Sequence, residues 1–284
     1  MTGVVLRVLD KVGPVAGGYS PALQGVPKGT ALALADISLS FGGIRALRKV
    51  SFQVRPGEIR AVIGPNGAGK SSVLNVISGL YQADEGSIAL GGTVYDHVPP
   101  QRLAGLGVAR TFQNLALFAG LSVAANIAAG LTFQRKAWLV SQMLRLPGAR
   151  GENADVADRV ARVAERLDLT VHLETLVSTL PYGLQKRVEL ARALVATPKL
   201  LLLDEPMAGM SATEKVGMAG YIRGARDALG LSVVLIEHDI GVVMGLSDRI
   251  AVLDYGVKIA DGSPTEVQRD PVVIRAYLGA DHVA

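Results

Sequence analysis

The fold of this chain is decided by one stretch, Gly64-Pro65-Asn66-Gly67-Ala68-Gly69-Lys70-Ser71, which fits the pattern of a phosphate-binding loop. The stretch follows an apolar segment at residues 59–63, predicted to be a strand, and precedes a predicted helix over residues 71–80. Glycines let the backbone curl around phosphates with successive N–H groups pointing inward, and the helix N-terminus adds partial positive charge. A glycine-rich turn is the alternative, but the flanking strand and helix favour the loop. The chain is therefore predicted to bind a nucleoside triphosphate.

Two side chains of the loop have predicted chemical roles. Lys70 is expected to reach the β- and γ-phosphate oxygens, and the Ser71 hydroxyl is expected to ligate Mg²⁺. ATP and Mg²⁺ are thus the expected substrate and cofactor. The predicted nucleotide-binding residues in and beside the loop are Gly64, Pro65, Asn66, Gly67, Ala68, Gly69, Lys70, Ser71 and Ser72.

Length and composition allow one large α/β domain or a core with a subdomain, because the chain has 284 residues of which 49% are hydrophobic. No uninterrupted apolar run approaches the ~18–20 residues that span a bilayer, and the N-terminus lacks the features of a secretory signal. Because the chain has no cysteine, disulfides, thiol catalysis and zinc–thiolate sites are excluded. The net charge of +4 is too small to indicate nucleic acid binding by itself.

Charge is distributed unevenly along the chain. Residues 97–151 contain no Asp or Glu, but they contain six basic residues: Arg102, Arg110, Arg135, Lys136, Arg145 and Arg150. One interpretation is a helical subdomain with a chance bias in charge. The other is a surface that faces anionic lipid headgroups or the cytoplasmic loops of a membrane partner.

The order of predicted elements indicates a parallel sheet covered on both faces, because apolar strands alternate with helices. Residues 1–29 are rich in glycine and proline and are predicted to be a flexible extension, followed by one domain over residues 30–284 with a helical subdomain at about 100–180. The clearest helix covers residues 153–167. Predicted strands cover residues 31–41, 50–54, 59–63, 87–90, 200–203, 232–237 and 250–253.

Two carboxylates, Asp204 and Glu205, follow the apolar strand predicted at residues 200–203. Ligands of parallel sheets sit beyond the carboxyl ends of the strands, so these side chains are expected beside the phosphate loop. Asp204 is the expected Mg²⁺ partner, through a water molecule, and Glu205 the expected base for the attacking water. The alternative is a carboxylate pair that only caps a strand end.

Three further residues are candidates for the nucleotide site. His238 follows the next apolar strand and is expected to contact the γ-phosphate, although a His at a strand end is often a structural cap. Gln113 follows a short apolar strand and could complete the Mg²⁺ shell and relay the nucleotide state to the helical region. Phe41 could stack on adenine, with a core position as the alternative.

In this order, these pieces resemble the ATP-binding subunits of ABC transporters, and the likeness covers about residues 31–279. The signature sequence of that family falls on Leu180, Pro181, Tyr182, Gly183, Leu184 and Gln185. The resemblance implies a RecA-like P-loop core of parallel strands with an antiparallel β subdomain and an inserted α-helical subdomain. It also implies a head-to-tail pair of ATPases, in which the signature of one faces the ATP of the other.

Within that family, the chain is most similar to the larger ATPase of branched-chain amino acid importers. The stretches that carry this likeness are residues 40–43, 110–113, 180–183, 236–239 and 273–279, and residues 134–151 would be the extra length of the larger ATPase. The resemblance implies a second ABC ATPase as a partner, expected to be a different chain. It also implies two membrane permeases, a periplasmic or extracellular substrate-binding protein, no nucleic acid, and a peripheral location on the cytoplasmic face of the inner membrane.

The signature departs from the general L-S-G-G-Q pattern of the family at three positions, which are Pro181, Tyr182 and Leu184. Pro181 has neither a hydroxyl nor a backbone N–H, so phosphate contacts would fall to Gly183 and the helix N-terminus. The loop after Glu205 also lacks the usual aspartate. These departures lead to the hypothesis that the ATP site built with this signature is the weaker of two.

Other functions explain fewer of these sequence features. Importers of urea, amides or aromatic acids have similar ATPases. Soluble ABC ATPases that act on nucleic acid or ribosomes carry long heptad coiled coils or a second phosphate loop, and the chain has neither. A P-loop kinase would leave residues 180–194 and His238 without a role.

Overall fold

The computed structural model describes residues 31–113, 115–132 and 148–278, and the side chains within them except those of 148–153 and 278. The predicted extension at residues 1–29 lies outside this range, as does most of the predicted insertion at 134–151. The chain divides into two compact units. The first contains residues 31–56, 62–106 and 249–278, and the second contains residues 57–61 and 107–248.

The strands and helices are numbered here in chain order. The strands are β1 (Leu32–Phe41), β2 (Ile44–Val54), β3 (Ile59–Ile63), β4 (Glu85–Leu90), β5 (Thr93–Tyr95), β6 (Val108–Arg110), β7 (Leu200–Asp204), β8 (Ser232–Ile236), β9 (Arg249–Asp254) and β10 (Val257–Gly262). The helices are α1 (Lys70–Ile77), α2 (Val123–Ala129), α3 (Gly148–Arg166), α4 (Tyr182–Leu194), α5 (Ala212–Leu229), α6 (Ile240–Leu246), α7 (Pro264–Arg269) and α8 (Pro271–Leu278).

The first unit contains a four-stranded antiparallel sheet with the order β2-β1-β4-β5. β1 is one of its two inner strands, and Leu32 pairs with Val54 on one side and Leu90 on the other. All three side chains are buried, and so is the whole apolar start of β1 over residues 32–35. This sheet is the antiparallel β subdomain that the resemblance implied.

The first unit also holds the hairpin of β9 and β10, the two short helices α7 and α8, and the helix α1. α7 begins at a capping box in which the Ser263 hydroxyl and the Glu266 carboxylate bond each other's backbone N–H groups. α8 follows directly and buries Val273. The sequence did not predict β10, whose side chains are mostly half-buried and do not form an apolar run.

The second unit is built on parallel strands, since β7 pairs with β6 on one side and with β8 on the other. Every residue of β7 and β8 is buried, as expected for a parallel sheet covered on both faces. Residues 57–61 join β8, because Val233 N–H donates to Glu58 O. The predicted parallel core is therefore confirmed.

The helices of the second unit cover this sheet and pack on each other. α3 begins five residues earlier than predicted, and its Val160 and Val163, with Leu167 just after its end, pack with residues of α4 and α5 in one core. α5 has a capping box at Ser211 and Glu214 and ends at Gly230 in the left-handed conformation. Among the residues that the structure describes, no helix is both long enough and apolar enough to cross a bilayer.

Candidate functional site

The phosphate loop lies between β3 and α1, in the first unit, and its shape requires glycine. Gly64 has φ of 152°, and a Cβ there would lie 2.0 Å from the Leu253 carbonyl oxygen. Gly69 has φ of 98° at the N-cap of α1, and a Cβ there would lie 2.7 Å from the Ala46 carbonyl oxygen. Only a residue without a side chain fits both positions, which explains two fixed positions of the motif.

The side chain of Lys70 is folded into the loop. It is buried, and its Nζ donates hydrogen bonds to Gly64 O at 2.8 Å and Pro65 O at 2.9 Å. Ser71 is exposed at the start of α1, and the first turn of this helix has no acidic residue. The positive end of the helix dipole and the Lys70 ammonium group therefore act together, which favours an anionic ligand.

Phe41 lies at the end of β1 and is 44% exposed. Its ring meets the edge of the Tyr81 ring with 5.0 Å between centroids. The alternative interpretation of Phe41 as a core residue is wrong. Stacking on adenine stays a prediction.

In the second unit, β7 ends in the buried carboxylate of Asp204. Its Oδ2 accepts a hydrogen bond from Nη2 of Arg110 at 3.3 Å. Burial raises the pKa of Asp204, and the Arg110 guanidinium acts in the opposite direction. The other oxygen, Oδ1, is buried and has no hydrogen-bond partner among the described residues, so it could accept a hydrogen bond from a ligand or water.

The Arg110 side chain corrects one interpretation of the basic stretch. It points into the second unit, with only 10% of its side chain exposed, and therefore does not belong to a surface that faces lipid or a partner. Arg102 is exposed, and the side chains of the other four basic residues lie outside the described part of the chain.

Glu205 contacts two other predicted site residues, His238 and Gln113. Its Oε1 lies 2.5 Å from Nε2 of His238, and its Oε2 accepts a hydrogen bond from Nε2 of Gln113 at 3.2 Å. The Glu205 backbone has φ of 49°, in the left-handed region that side chains other than glycine rarely adopt. Such strain is characteristic of functional sites and is held here by a hydrogen bond from Glu205 N–H to Ile236 O.

Glu237 is a supporting residue that the sequence did not single out. It is buried, and its two oxygens accept hydrogen bonds from the backbone N–H groups of Met207 and His238, at 2.8 and 3.2 Å. Burial raises its pKa, while the two N–H groups lower it. Glu237 therefore ties the loop after Glu205 to the backbone of His238. A carboxylate just before a predicted site histidine is the signal that could have identified it.

The signature segment begins helix α4, with Pro181 as the N-cap and Tyr182 as the first helical residue. Leu180 is buried, and its carbonyl oxygen accepts a hydrogen bond from Nε2 of Gln185 at 2.8 Å. Pro181 and Tyr182 are exposed. Since Pro181 offers no side-chain cap, the first two N–H groups of α4, those of Tyr182 and Gly183, remain available to a ligand, while Leu184 N–H donates to Pro181 O.

A phosphate loop that opens a helix, together with a parallel strand that ends in Asp and Glu, defines a P-loop ATPase. The sequence profile of the family described as "ABC transporter" matches residues 47–208. This chain belongs to the ABC transporter family, as an ATP-binding subunit that hydrolyses ATP. A second profile, described as "Branched-chain amino acid ATP-binding cassette transporter", matches residues 257–283.

Two relatives are similar over nearly their whole length. The high-affinity branched-chain amino acid transport ATP-binding protein LivG of Salmonella typhimurium is 40% identical over 248 residues, which are 87% of this chain and 97% of LivG. The high-affinity branched-chain amino acid transport ATP-binding protein BraF of Pseudomonas aeruginosa is 35% identical, with the same shares covered. These relatives confirm the resemblance inferred from the sequence.

Solved structures confirm the fold. The ADP conformation of an ATP-binding cassette of an ABC transporter matches with a TM-score of 0.77 and 30% identity, over 88% of this chain and 99% of the other. A nucleotide-free ATP-binding cassette from an ABC transporter matches with a TM-score of 0.76 and 30% identity, over 87% of this chain and 98% of the other.

Proposed function

We propose that this chain is the ATP-hydrolysing subunit of an importer for branched-chain or other hydrophobic amino acids. The names of LivG and BraF, which describe branched-chain amino acid transport, support this substrate class. So does the match of residues 257–283 to the branched-chain amino acid transporter profile. The proposed role of Glu205 in hydrolysis rests on one observation: His238 and Gln113 both contact its carboxylate.

The phosphate loop would bind the triphosphate of ATP. Lys70, now bonded to two loop carbonyls, would exchange these bonds for β- and γ-phosphate oxygens. The backbone N–H groups of the glycine-rich loop would bind the same phosphates, as in other P-loops. Phe41, exposed at the end of β1, would stack on adenine.

Glu205 would act as the base that orients and deprotonates the attacking water. His238 and Gln113 bond one carboxylate oxygen each, so the carboxylate is held in one orientation. His238 would also contact the γ-phosphate, since its side chain is 45% exposed. The step depends on positioning and electrostatics and forms no covalent intermediate with the protein.

Mg²⁺ fits the donor groups of the chain. Ser71 offers an exposed hydroxyl, Gln113 an amide oxygen, and Asp204 a buried carboxylate oxygen that has no partner among the described residues. Bound Mg²⁺ would neutralise charge on the β- and γ-phosphates. In the described part of the chain, no three His, Cys, Asp or Glu side chains could hold a metal by themselves, which agrees with a Mg²⁺ held largely by phosphates and water.

Transport would require partners. A second, different ABC ATPase would face the signature residues Leu180, Pro181, Tyr182, Gly183, Leu184 and Gln185 across its own ATP. Two permeases would take up the movement of the helical region at the cytoplasmic face of the membrane, and an external binding protein would deliver the amino acid. The exposed N-terminus of α4, with Pro181 and Tyr182 at the surface, supports the contact with the second ATPase.

Uptake of radiolabelled leucine tests this proposal. Cells that lack the gene are complemented with the wild-type chain, with Glu205→Gln, or with Glu165→Gln, a matched change at an exposed glutamate of α3. We expect the wild type and Glu165→Gln to restore uptake and Glu205→Gln to fail. Uptake restored by Glu205→Gln would contradict the hydrolytic role. Cells without the gene that take up leucine normally, but lose uptake of urea, amides or aromatic acids, would contradict the substrate class.

A further inference from the structure

Helix α4 contains a buried ion pair that the proposed hydrolysis does not use. Lys186 and Glu189 lie one turn apart with 2% and 3% exposure, and Lys186 Nζ is 3.4 Å from Glu189 Oε2. A buried ion pair contributes little net stability, because the desolvation of the two charges offsets their attraction. Stability alone therefore does not explain why this pair is buried in α4.

Lys186 reaches out of its own helix to the segment that carries Gln113. Its Nζ donates a hydrogen bond to the Gln113 carbonyl oxygen at 3.3 Å. The same ammonium group lies 5.9 Å from the centre of the Tyr182 ring, within the range of a cation–π contact. Lys186 thus joins the first turn of the signature helix to the backbone of Gln113.

A second cation of α4 binds the same segment. Arg192, two turns after Lys186, donates from Nη1 to the Ala116 carbonyl oxygen at 2.6 Å. Upstream, Thr111 N–H donates to Leu202 O and ties the end of β6 to β7. Gln113 therefore lies between a residue bonded to the sheet and a residue bonded to α4.

The position of the Gln113 backbone matters because its side chain bonds Glu205. The side-chain amide donates to Glu205 Oε2 at 3.2 Å, although Gln113 itself is exposed. An exposed side chain keeps one position only if its backbone is held. The bond from Lys186 to the Gln113 carbonyl is such a restraint.

We propose that Lys186, held in place by Glu189, is a positioning residue for hydrolysis that fixes the Gln113 backbone so that its amide stays on Glu205. This inference rests on the proposed roles of Glu205 and Gln113. Helix α4 then has two functions: its N-terminus carries the signature, and its next turn positions a residue of the chain's own hydrolytic site. Movement of α4 would change both together.

A double-mutant cycle on ATP hydrolysis tests the proposal, with the wild type, Lys186→Met, Gln113→Ala and the double variant. Lys186→Met should lower kcat about tenfold, since misplaced catalytic groups cost this much or more. In the Gln113→Ala background, the same change should have almost no further effect. Lys199→Met, at an exposed lysine, is the matched control and should leave kcat unchanged.

A second variant separates positioning from folding. Lys186→Met combined with Glu189→Leu replaces the buried pair by apolar side chains and should unfold at a urea concentration at least as high as that of the wild type. It should still hydrolyse ATP about tenfold more slowly, because the bond to Gln113 is lost. If this stable variant has wild-type kcat, the proposal is wrong.

Two other outcomes also overturn the inference. If Lys186→Met lowers kcat as much in the Gln113→Ala background as in the wild type, the lysine does not act through Gln113. If Gln113→Ala alone has wild-type kcat, the proposed role of Gln113 fails and the inference fails with it. The proposed ATPase function survives both outcomes as long as Glu205→Gln is inactive.

Discussion

Nε2 of His238 lies 2.5 Å from Oε1 of Glu205, although the two residues follow different strands of the parallel sheet. β7 and β8 end side by side, because Asp204 pairs with Ile236 in their ladder. The residues that follow each strand are brought together by this register. The His238 imidazole contacts one carboxylate oxygen of Glu205, and Gln113 bonds the other. These two contacts leave the carboxylate little freedom to rotate.

His238→Ala should lower kcat by about 10²-fold, because it removes the group that holds Glu205 and contacts the γ-phosphate. Stability should change by less than about 0.5 kcal/mol, since the imidazole is half-exposed and the backbone bond to Glu237 remains. Steady-state hydrolysis and urea unfolding measure the two quantities. A kcat within about threefold of the wild type would show that His238 only caps its strand.

Gly183→Ala should stabilise the chain by clearly less than the gain of about 1 kcal/mol that alanine has over glycine in a helix, because a clash with Glu214 offsets part of this gain. A Cβ on Gly183 would lie 2.2 Å from Oε1 of Glu214, so this carboxylate would have to shift, and its other oxygen, Oε2, makes the bonds to Ser211 that cap α5. Urea unfolding measures the effect. Gly217→Ala is the control, because a Cβ on that helical glycine meets nothing within 4 Å, and it should stabilise α5 by about 1 kcal/mol.

Adding Glu214→Ala to Gly183→Ala separates the clash from other effects of alanine. The single Glu214→Ala variant loses the cap, and the additional change at Gly183 should then stabilise the chain by the full gain of about 1 kcal/mol. Strictly additive effects of the two substitutions would contradict the explanation by a clash.

Tyr277 should make stability depend on pH in the alkaline range. Burial raises its pKa to about 12, compared with about 10 for an ordinary tyrosine. A raised pKa favours the neutral hydroxyl in the folded chain, so this stabilisation is complete below about pH 10 and is lost as the pH rises towards 12. The stability of the wild type relative to Tyr277→Phe should therefore fall across this range in urea unfolding.

The control for this measurement is Tyr255→Phe, which removes a hydroxyl from a ring that is 80% exposed. Because the ring is exposed, this substitution should change stability by less than about 0.5 kcal/mol. If the free energy of unfolding changes equally with pH in Tyr277→Phe and Tyr255→Phe, the raised pKa of Tyr277 is contradicted.

The parts of the fold with strong local signals were predictable from the sequence. The phosphate loop has fixed glycines, and β7 and β8 are continuous apolar runs that only a sheet buried on both faces explains. The meeting of Glu205 and His238 follows from the same logic, since parallel strands end at one edge of the sheet. Gln113 was singled out only by its place after a short apolar strand, which is a weak signal by itself.

Other features depend on pairing across the fold and leave little trace in the sequence. The first half of β2 was missed because Ile44 and its charged neighbours are exposed, and only backbone bonds to β1 make them a strand. Lys186 and Glu189 read as ordinary surface charges, because Gln113, which Lys186 bonds, lies far away in the sequence. Burial of a charge follows from tertiary contacts, which local patterns do not encode.

The mass in solution of Glu205→Gln, with and without MgATP and with and without the second ATPase of the importer, tests the central claim most directly. With the base removed, bound ATP is not turned over, so a closed pair of ATPases should accumulate. We expect Glu205→Gln to bind ATP as a monomer by itself and to form an ATP-dependent heterodimer with the second ATPase. An ATP-dependent homodimer would contradict the requirement for a different partner. A variant that forms no ATP-dependent pair with either chain would contradict the proposed mechanism itself.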